Sequence, residues 1–183
     1  MSKLLILSGE IGSGKTTLLL NFLDQLKEYG LQIHGILTPP VIVNGEKTGI
    51  DLVDLKTGER KLFATLRGSI TAGLITQKWI FDETVMEWGN TILSKAVPCQ
   101  VLIIDELGPL EFELGKGLMQ GLKAIQSKQY VTAIVVIRPA LIPAALKSLP
   151  DAQVVTFSRE SGPGVLVKLV NEISTVHGDS RRQ

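Results

Sequence analysis

The chain has 183 residues, of which 44% are hydrophobic, enough for one well-cored domain and short for two. Its 19 Lys+Arg against 18 Asp+Glu leave a net charge of +1, with no field to hold DNA or RNA, so nucleic acid is not an expected partner. One cysteine, Cys99, and two histidines, His34 and His177, exclude an internal disulfide and a zinc-type ligand set, and no apolar run is long enough for a signal peptide or a bilayer span, so a cytoplasmic protein is expected.

In chain order, Lys3 to Leu7 reads as a strand followed by a glycine-rich turn. Thr16 to Tyr29 reads as a helix, with Leu19, Phe22, Leu23 and Leu26 on one face, Asn21, Asp24, Gln25 and Glu28 opposite, and Gly30 as the stop. Leu31 to Leu37 is a second strand, closed by Pro39-Pro40. From Val41 to Leu66, Asn44-Gly45 and Thr57-Gly58 interrupt short runs rich in Val, Ile and Leu, the pattern of antiparallel hairpins, and we read residues 41–66 as a β-ribbon insertion. Arg67 to Gln77 has no period and reads as a loop. Asp82 is the expected N-cap of a helix that carries Val85, Ile92 and Leu93 toward the core.

Val101 to Ile104 is a continuous apolar strand ending in Asp105-Glu106. A helix near Lys116 to Ser127, a strand from Val131 to Ile137, a helix near Ala140 to Leu149, a strand from Gln153 to Phe157 and a last helix near Val165 to Val176 follow, with a frayed tail over residues 177–183. Strands that are apolar throughout, alternating with amphipathic helices, are buried on both faces, which is an α/β sandwich.

Gly9-Glu10-Ile11-Gly12-Ser13-Gly14-Lys15-Thr16 matches G-x-x-x-x-G-K-S/T, directly after a strand and directly before a helix. Its glycines let the backbone curl so that amide N–H groups point inward around a phosphate chain, with the helix N-terminus behind them. Residues Gly9 to Thr17 are therefore the expected nucleotide-binding segment, with Lys15 on the β- and γ-phosphates and the Thr16 hydroxyl on Mg²⁺. In a parallel sheet, ligands bind at the carboxyl ends of the strands, so Asp105 and Glu106 should face the same region. Asp105 is the expected second metal ligand. Glu106 is expected to orient and deprotonate the attacking water.

With these motifs in place, the chain resembles the THEP1-type nucleoside-triphosphatases, known in humans as the cancer-related nucleoside-triphosphatase. The resemblance rests on Gly9 to Thr17, Gly35-Ile36-Leu37-Thr38, Gly49-Ile50-Asp51-Leu52-Val53-Asp54-Leu55 with Thr57-Gly58-Glu59, Lys78-Trp79-Ile80-Phe81-Asp82, and above all Asp105-Glu106-Leu107-Gly108-Pro109-Leu110-Glu111, close to the family's D-E-I-G-P-M-E. It implies a P-loop NTPase three-layer sandwich with a mostly parallel central sheet, here with the antiparallel ribbon inserted. It also implies Mg²⁺-dependent hydrolysis of nucleoside triphosphates, ATP and GTP among them, with broad base specificity. We expect one domain over residues 1–183, acting as a monomer without membrane or nucleic-acid partners.

The chain departs from the family at Thr65 and Ile75, where arginines are expected, and at Glu160-Ser161-Gly162, where E-N-R is common. Arg138, closing the strand that ends at Ile137, is the best remaining source of transition-state charge, ahead of Arg67 and Arg159, although for each a solvated surface arginine is the more common case. Slow turnover follows, since such a residue is worth about a thousandfold or more. Glu111 either stands behind the acid pair or caps the next turn. Trp79 and Phe81 either stack on a base or belong to the core, and Ser158 to Gly164 either touches the base or merely connects two elements. His34 and Cys99 read as structural. Two other readings use the same loop: a kinase with residues 41–77 as an acceptor lid, and a nucleotide-gated accessory protein.

Overall fold

A computed structural model describes residues 2–67, 74–75, 78–158 and Gly164. The elements are β1 (Lys3–Ser8), α1 (Lys15–Glu28), β2 (Ile33–Leu37), β3 (Pro40–Val43), β4 (Glu46–Asp54), β5 (Arg60–Leu66), β6 (Leu74–Ile75), β7 (Trp79–Phe81), α2 (Glu83–Ser94), β8 (Cys99–Ile104), α3 (Pro109–Phe112), α4 (Met119–Gln126), β9 (Tyr130–Val136), α5 (Ile142–Ser148) and β10 (Gln153–Thr156).

Five strands form a parallel core in the order β10-β1-β9-β8-β2. Alternate residues of these strands point to opposite faces. Leu5, Leu7, Val101, Ile103, Ile134 and Val136 pack under Leu19, Phe22, Leu23 and Leu26 of α1. Ile6, Leu102, Ile104, Ala133 and Val135 instead pack with Val85, Met86 and Leu93 of α2, Ala124 and Ile125 of α4, and Ala145 of α5. The central strands β1, β8 and β9 are thus largely apolar in both registers, which is why they show no regular alternation with polar residues in the sequence.

The antiparallel region is not a separate ribbon: β4 pairs with β2 through Ile36 opposite Asp54 and Leu37 opposite Val53, and β5, β7 and β6 extend the same sheet beyond it, with β3 on the other part of β4. Residues 67–77, expected as a loop, include β6, and Trp79-Ile80-Phe81 forms β7 directly before the Asp82 cap. Runs of two and three residues are too short to show a period in the sequence, and only pairing, of β7 with β5 and of β6 with β7, makes them strands. The Asp82 cap is as expected, its Oδ1 accepting from the amides of Thr84 at 2.8 Å and Val85 at 3.1 Å. The helix read near Lys116 starts at Met119, and Pro109–Phe112 forms an additional turn. The expected last helix and tail lie outside the described residues.

Gly35 ties β2 to β8. Its φ is +114°, and a Cβ there would lie 1.9 Å from the Ile103 carbonyl oxygen, so no other residue fits.

Candidate active site

The strand order decides what meets at the carboxyl edge. β9 lies between β1 and β8, so Arg138, two residues past β9, emerges between the glycine-rich loop after β1 and the acid pair after β8. The loop turns on Gly12 and Gly14, with φ of +75° and +97°, conformations that suit glycine. Its foot is tight: a Cβ at Gly9 would meet the Phe157 carbonyl oxygen at 2.3 Å. Glu10 and Ile11 are exposed at its tip, Ser13 is half-buried, and Thr17 is exposed on the first turn of α1. Lys15 folds back inside the loop, donating to the carbonyls of Gly9 at 2.6 Å and Glu10 at 2.7 Å and to Ser13 Oγ at 3.3 Å. Burial holds its ammonium below the ordinary lysine value, against the opposing pull of Glu106 and Asp105.

Asp105 is 2% exposed. Its carboxylate accepts from the Thr38 amide at 3.1 Å, its carbonyl accepts from Thr38 Oγ1 at 2.9 Å, and the Thr16 hydroxyl bonds to its side chain. Burial pushes its pKa up to about 6, while the Thr38 and Thr16 bonds pull it down and the Glu106 charge adds to the rise. Loop, acid strand and the end of β2 are therefore joined through one carboxylate.

Glu106 has a φ of +75°, in the left-handed region where a side chain costs about 1–2 kcal/mol. This turns its carboxylate away from the strand axis and onto Arg138, whose Nε forms an ion pair with Glu106 Oε1. The pair is partly solvated, so Arg138 is a surface arginine with a partner at the acid edge.

Glu111 resolves toward capping. Its Oε2 accepts from the Gly108 amide at 2.7 Å and its Oε1 from the Leu118 amide at 2.6 Å, joining the segment after Glu106 to the start of α4. Burial raises its pKa and the two amides oppose the rise. Truncation leaves both amides without this acceptor. Glu111→Ala is expected to lower stability by about 3 kcal/mol, measured by urea unfolding, with Glu111→Gln losing less.

His34 Nδ1 pairs with the Ala96 carbonyl oxygen at 2.9 Å, and Cys99 is buried with its thiol pushed up to about 11, so both are structural. Phe81 packs edge-on against Phe63 with ring centres 5.0 Å apart, a core contact. Trp79 differs: the ammonium groups of Lys47 and Lys78 lie 5.0 and 5.5 Å from its ring centre. Arg67 is exposed at the end of β5. Thr65 is half-buried on β5 and its hydroxyl has no hydrogen-bond partner among the described residues. Arg159, Glu160-Ser161-Gly162 and most of the 158–164 loop lie outside the described residues.

A family profile described as NTPase matches residues 4–168. The chain belongs to this NTPase family. Nucleoside-triphosphatase THEP1 of Methanothermobacter thermautotrophicus is 26% identical over 176 residues, 95% of this chain and 98% of that one. THEP1 of Pyrobaculum islandicum is 36% identical over 111 residues, 58% of this chain and 59% of that one. The fold matches the solution structure of a human cancer-related nucleoside triphosphatase with a TM-score of 0.70, at 22% identity and covering 95% of this chain and 98% of that one. It also matches the crystal structure of THEP1 from Aquifex aeolicus with a TM-score of 0.69, at 22% identity over 93% and 98% of the two chains. The expected P-loop α/β architecture is thus present in this NTPase.

Two residues of the site escaped sequence reasoning. Thr38 bonds Asp105 twice, and Lys47 shares an electrostatic environment with Glu106, Asp105 and Arg138. Asn44-Gly45 marks the hairpin that carries Lys47, but no pattern in the sequence shows which way that hairpin leans.

Among the described residues no helix is long and apolar enough to cross a membrane, and no group of three or more His, Cys, Asp or Glu side chains converges as a metal site.

Proposed function

We propose that this NTPase hydrolyses nucleoside 5′-triphosphates, ATP and GTP among them, to the diphosphate and phosphate, with Mg²⁺ as cofactor, slow turnover and little preference for the base. The observation that carries the reading is the meeting of Lys15, Thr16, Asp105 and Glu106 at one edge of the sheet.

The residues fit Mg²⁺. Asp105 is a buried carboxylate destabilised by its surroundings and in contact with the Thr16 hydroxyl, so two hard oxygen donors stand where a cation would offset the cost of burial. Mg²⁺ takes few protein ligands and completes its shell from phosphate oxygens and water, which agrees with the small donor set. Thr16 and Asp105 would hold the ion, and it would supply charge that neutralises the phosphate chain.

The chain's own residues do the rest. The glycine-rich loop and the start of α1 would hold the phosphate chain through backbone amides, contacting what all nucleotides share, which accounts for broad base specificity. On binding, the Lys15 ammonium exchanges the carbonyls of Gly9 and Glu10 for phosphate oxygens. Glu106 accepts a proton from the attacking water, its carboxylate aimed by the left-handed backbone and by Arg138. Arg138, paired with Glu106, would share the charge that develops on the γ-phosphoryl group, and turnover is slow because Thr65 and Ile75 supply no further guanidinium. We assign these roles within one domain spanning residues 1–183.

The test is phosphate release from ATP, GTP, CTP and UTP with Mg²⁺ and with EDTA. Release from all four within about tenfold of one another and its loss in EDTA are expected; no release from any of them overturns the reading.

A further inference from the structure

Strand β3 begins two residues after Thr38, whose amide and hydroxyl both bond Asp105, so the β3–β4 hairpin is rooted at the acid edge. The hairpin turns through Asn44 and Gly45, both at positive φ, and returns along β4 with Lys47 as its second residue. Pairing then slips: Ile42 lies opposite Lys47 and Val41 opposite Gly49, so Thr48 is an extra residue in β4, its hydroxyl 3.4 Å from the Val41 carbonyl oxygen. Such a bulge breaks the strict alternation of side chains and re-aims those beside it, here Lys47. The ammonium is braced over the Trp79 ring at 5.0 Å, a ring carried by β7 at the far side of the same antiparallel extension.

Burial holds the Lys47 ammonium below the ordinary lysine value; Glu106 and Asp105 favour its charge, and Lys78 and Arg138 oppose it. Lys15 responds to the same Glu106, Asp105 and Arg138 from inside the loop. Leu37, the last residue of β2, lies opposite Val53, so the earlier residues of β4, Lys47 among them, run past the carboxyl end of β2, at the edge where β8 gives way to Asp105 and Glu106. A polyanion placed among them would meet Lys15 from the loop and Lys47 from the hairpin.

We propose that Lys47, delivered by the bulged β3–β4 hairpin and braced on Trp79, contacts the γ-phosphoryl oxygens as a catalytic residue that stabilises the charge developing in hydrolysis. The inference rests on the reading of the site as a triphosphatase. Lys47 thus takes over part of the work for which Thr65, neutral and on the adjacent β5, has no charge to offer.

The experiment compares wild type, Lys47→Ala, Lys47→Gln and Lys47→Arg in the full chain, by phosphate release and by affinity for Mg-ADP with and without aluminium fluoride, a mimic of the transferring phosphoryl group. Lys47→Ala is expected to lower kcat by about a hundredfold. It should also weaken binding of the aluminium fluoride complex by at least about tenfold while Mg-ADP affinity stays within about twofold, and Lys47→Arg should recover most of the rate. Should the alanine variant fail to fold, Lys47→Gln, which keeps an aliphatic stem against Trp79, decides on the same measurements. Unchanged kcat and unchanged affinity for the fluoride complex in the neutral variants overturn the role of Lys47 alone. Absence of phosphate release by the wild type overturns the triphosphatase reading and this inference with it.

Discussion

Glu106→Gln is expected to reduce phosphate release by about a thousandfold while nucleotide affinity is kept or improved. General-base catalysis is worth about 10²–10⁴ in rate, and the amide preserves the shape of the side chain while removing its ability to take a proton. The backbone should hold, because the left-handed conformation at this position is imposed by the chain around it: Asp105 is anchored to Thr38 on one side, and Gly108 is held by Glu111 on the other. Removal of a negative charge close to where the γ-phosphate would lie favours binding. Single-turnover phosphate release with calorimetric binding of Mg-ATP separates the two effects. A variant that hydrolyses at the wild-type rate would remove Glu106 from the mechanism.

The second large effect concerns stability. In metal-chelating buffer, Asp105→Asn is expected to be more stable than wild type at pH 7.5 by about 1–3 kcal/mol, and to lose that advantage near pH 4. The carboxyl titrates at about 6 in the folded protein against an ordinary value of 3.8. Between these values the native state holds the proton more than the unfolded state does, so stability falls as pH rises through the window and stays lowered above it, by about 3 kcal/mol in all. Asparagine escapes that penalty and can still accept from the Thr38 amide, though its NH₂ group then needs an acceptor, hence the lower bound. Urea unfolding at the two pH values measures the difference; identical pH profiles for variant and wild type would refute the account of the buried carboxylate. The same substitution removes a proposed Mg²⁺ ligand, so a gain in stability is expected to accompany a loss of hydrolysis.

Much of the fold is legible in the chain because burial on two faces leaves a mark. Leu5-Ile6-Leu7 and Val101-Leu102-Ile103-Ile104 are apolar at every position since both layers need them, and α1 shows its stripe because one side meets the sheet. The hairpins of β3, β4 and β5 are legible through Asn44-Gly45 and Thr57-Gly58. By contrast β6 and β7 are too short to carry a period, and α3 is a single turn after a proline. At the site, the glycine-rich loop and the Asp105-Glu106 pair can be read locally, because backbone curl and strand-end carboxylates are written in adjacent residues. For Glu111 the chain left capping and a place behind the acid pair both open, since its two amide partners, Gly108 and Leu118, are set by the path of the intervening turn.

The amino-acid order by itself determined the phosphate loop, the acid pair and the α/β class, each of which depends on residues that are neighbours along the chain. The tertiary structure alone decided that β9 stands between β1 and β8 and so places Arg138 on Glu106, that Thr38 holds Asp105, and that Lys47, beside a bulge, lies over Trp79. The reason is physical: strand order and hairpin lean follow from which apolar surfaces find one another across the sheet, and those distances are not encoded by spacing along the chain.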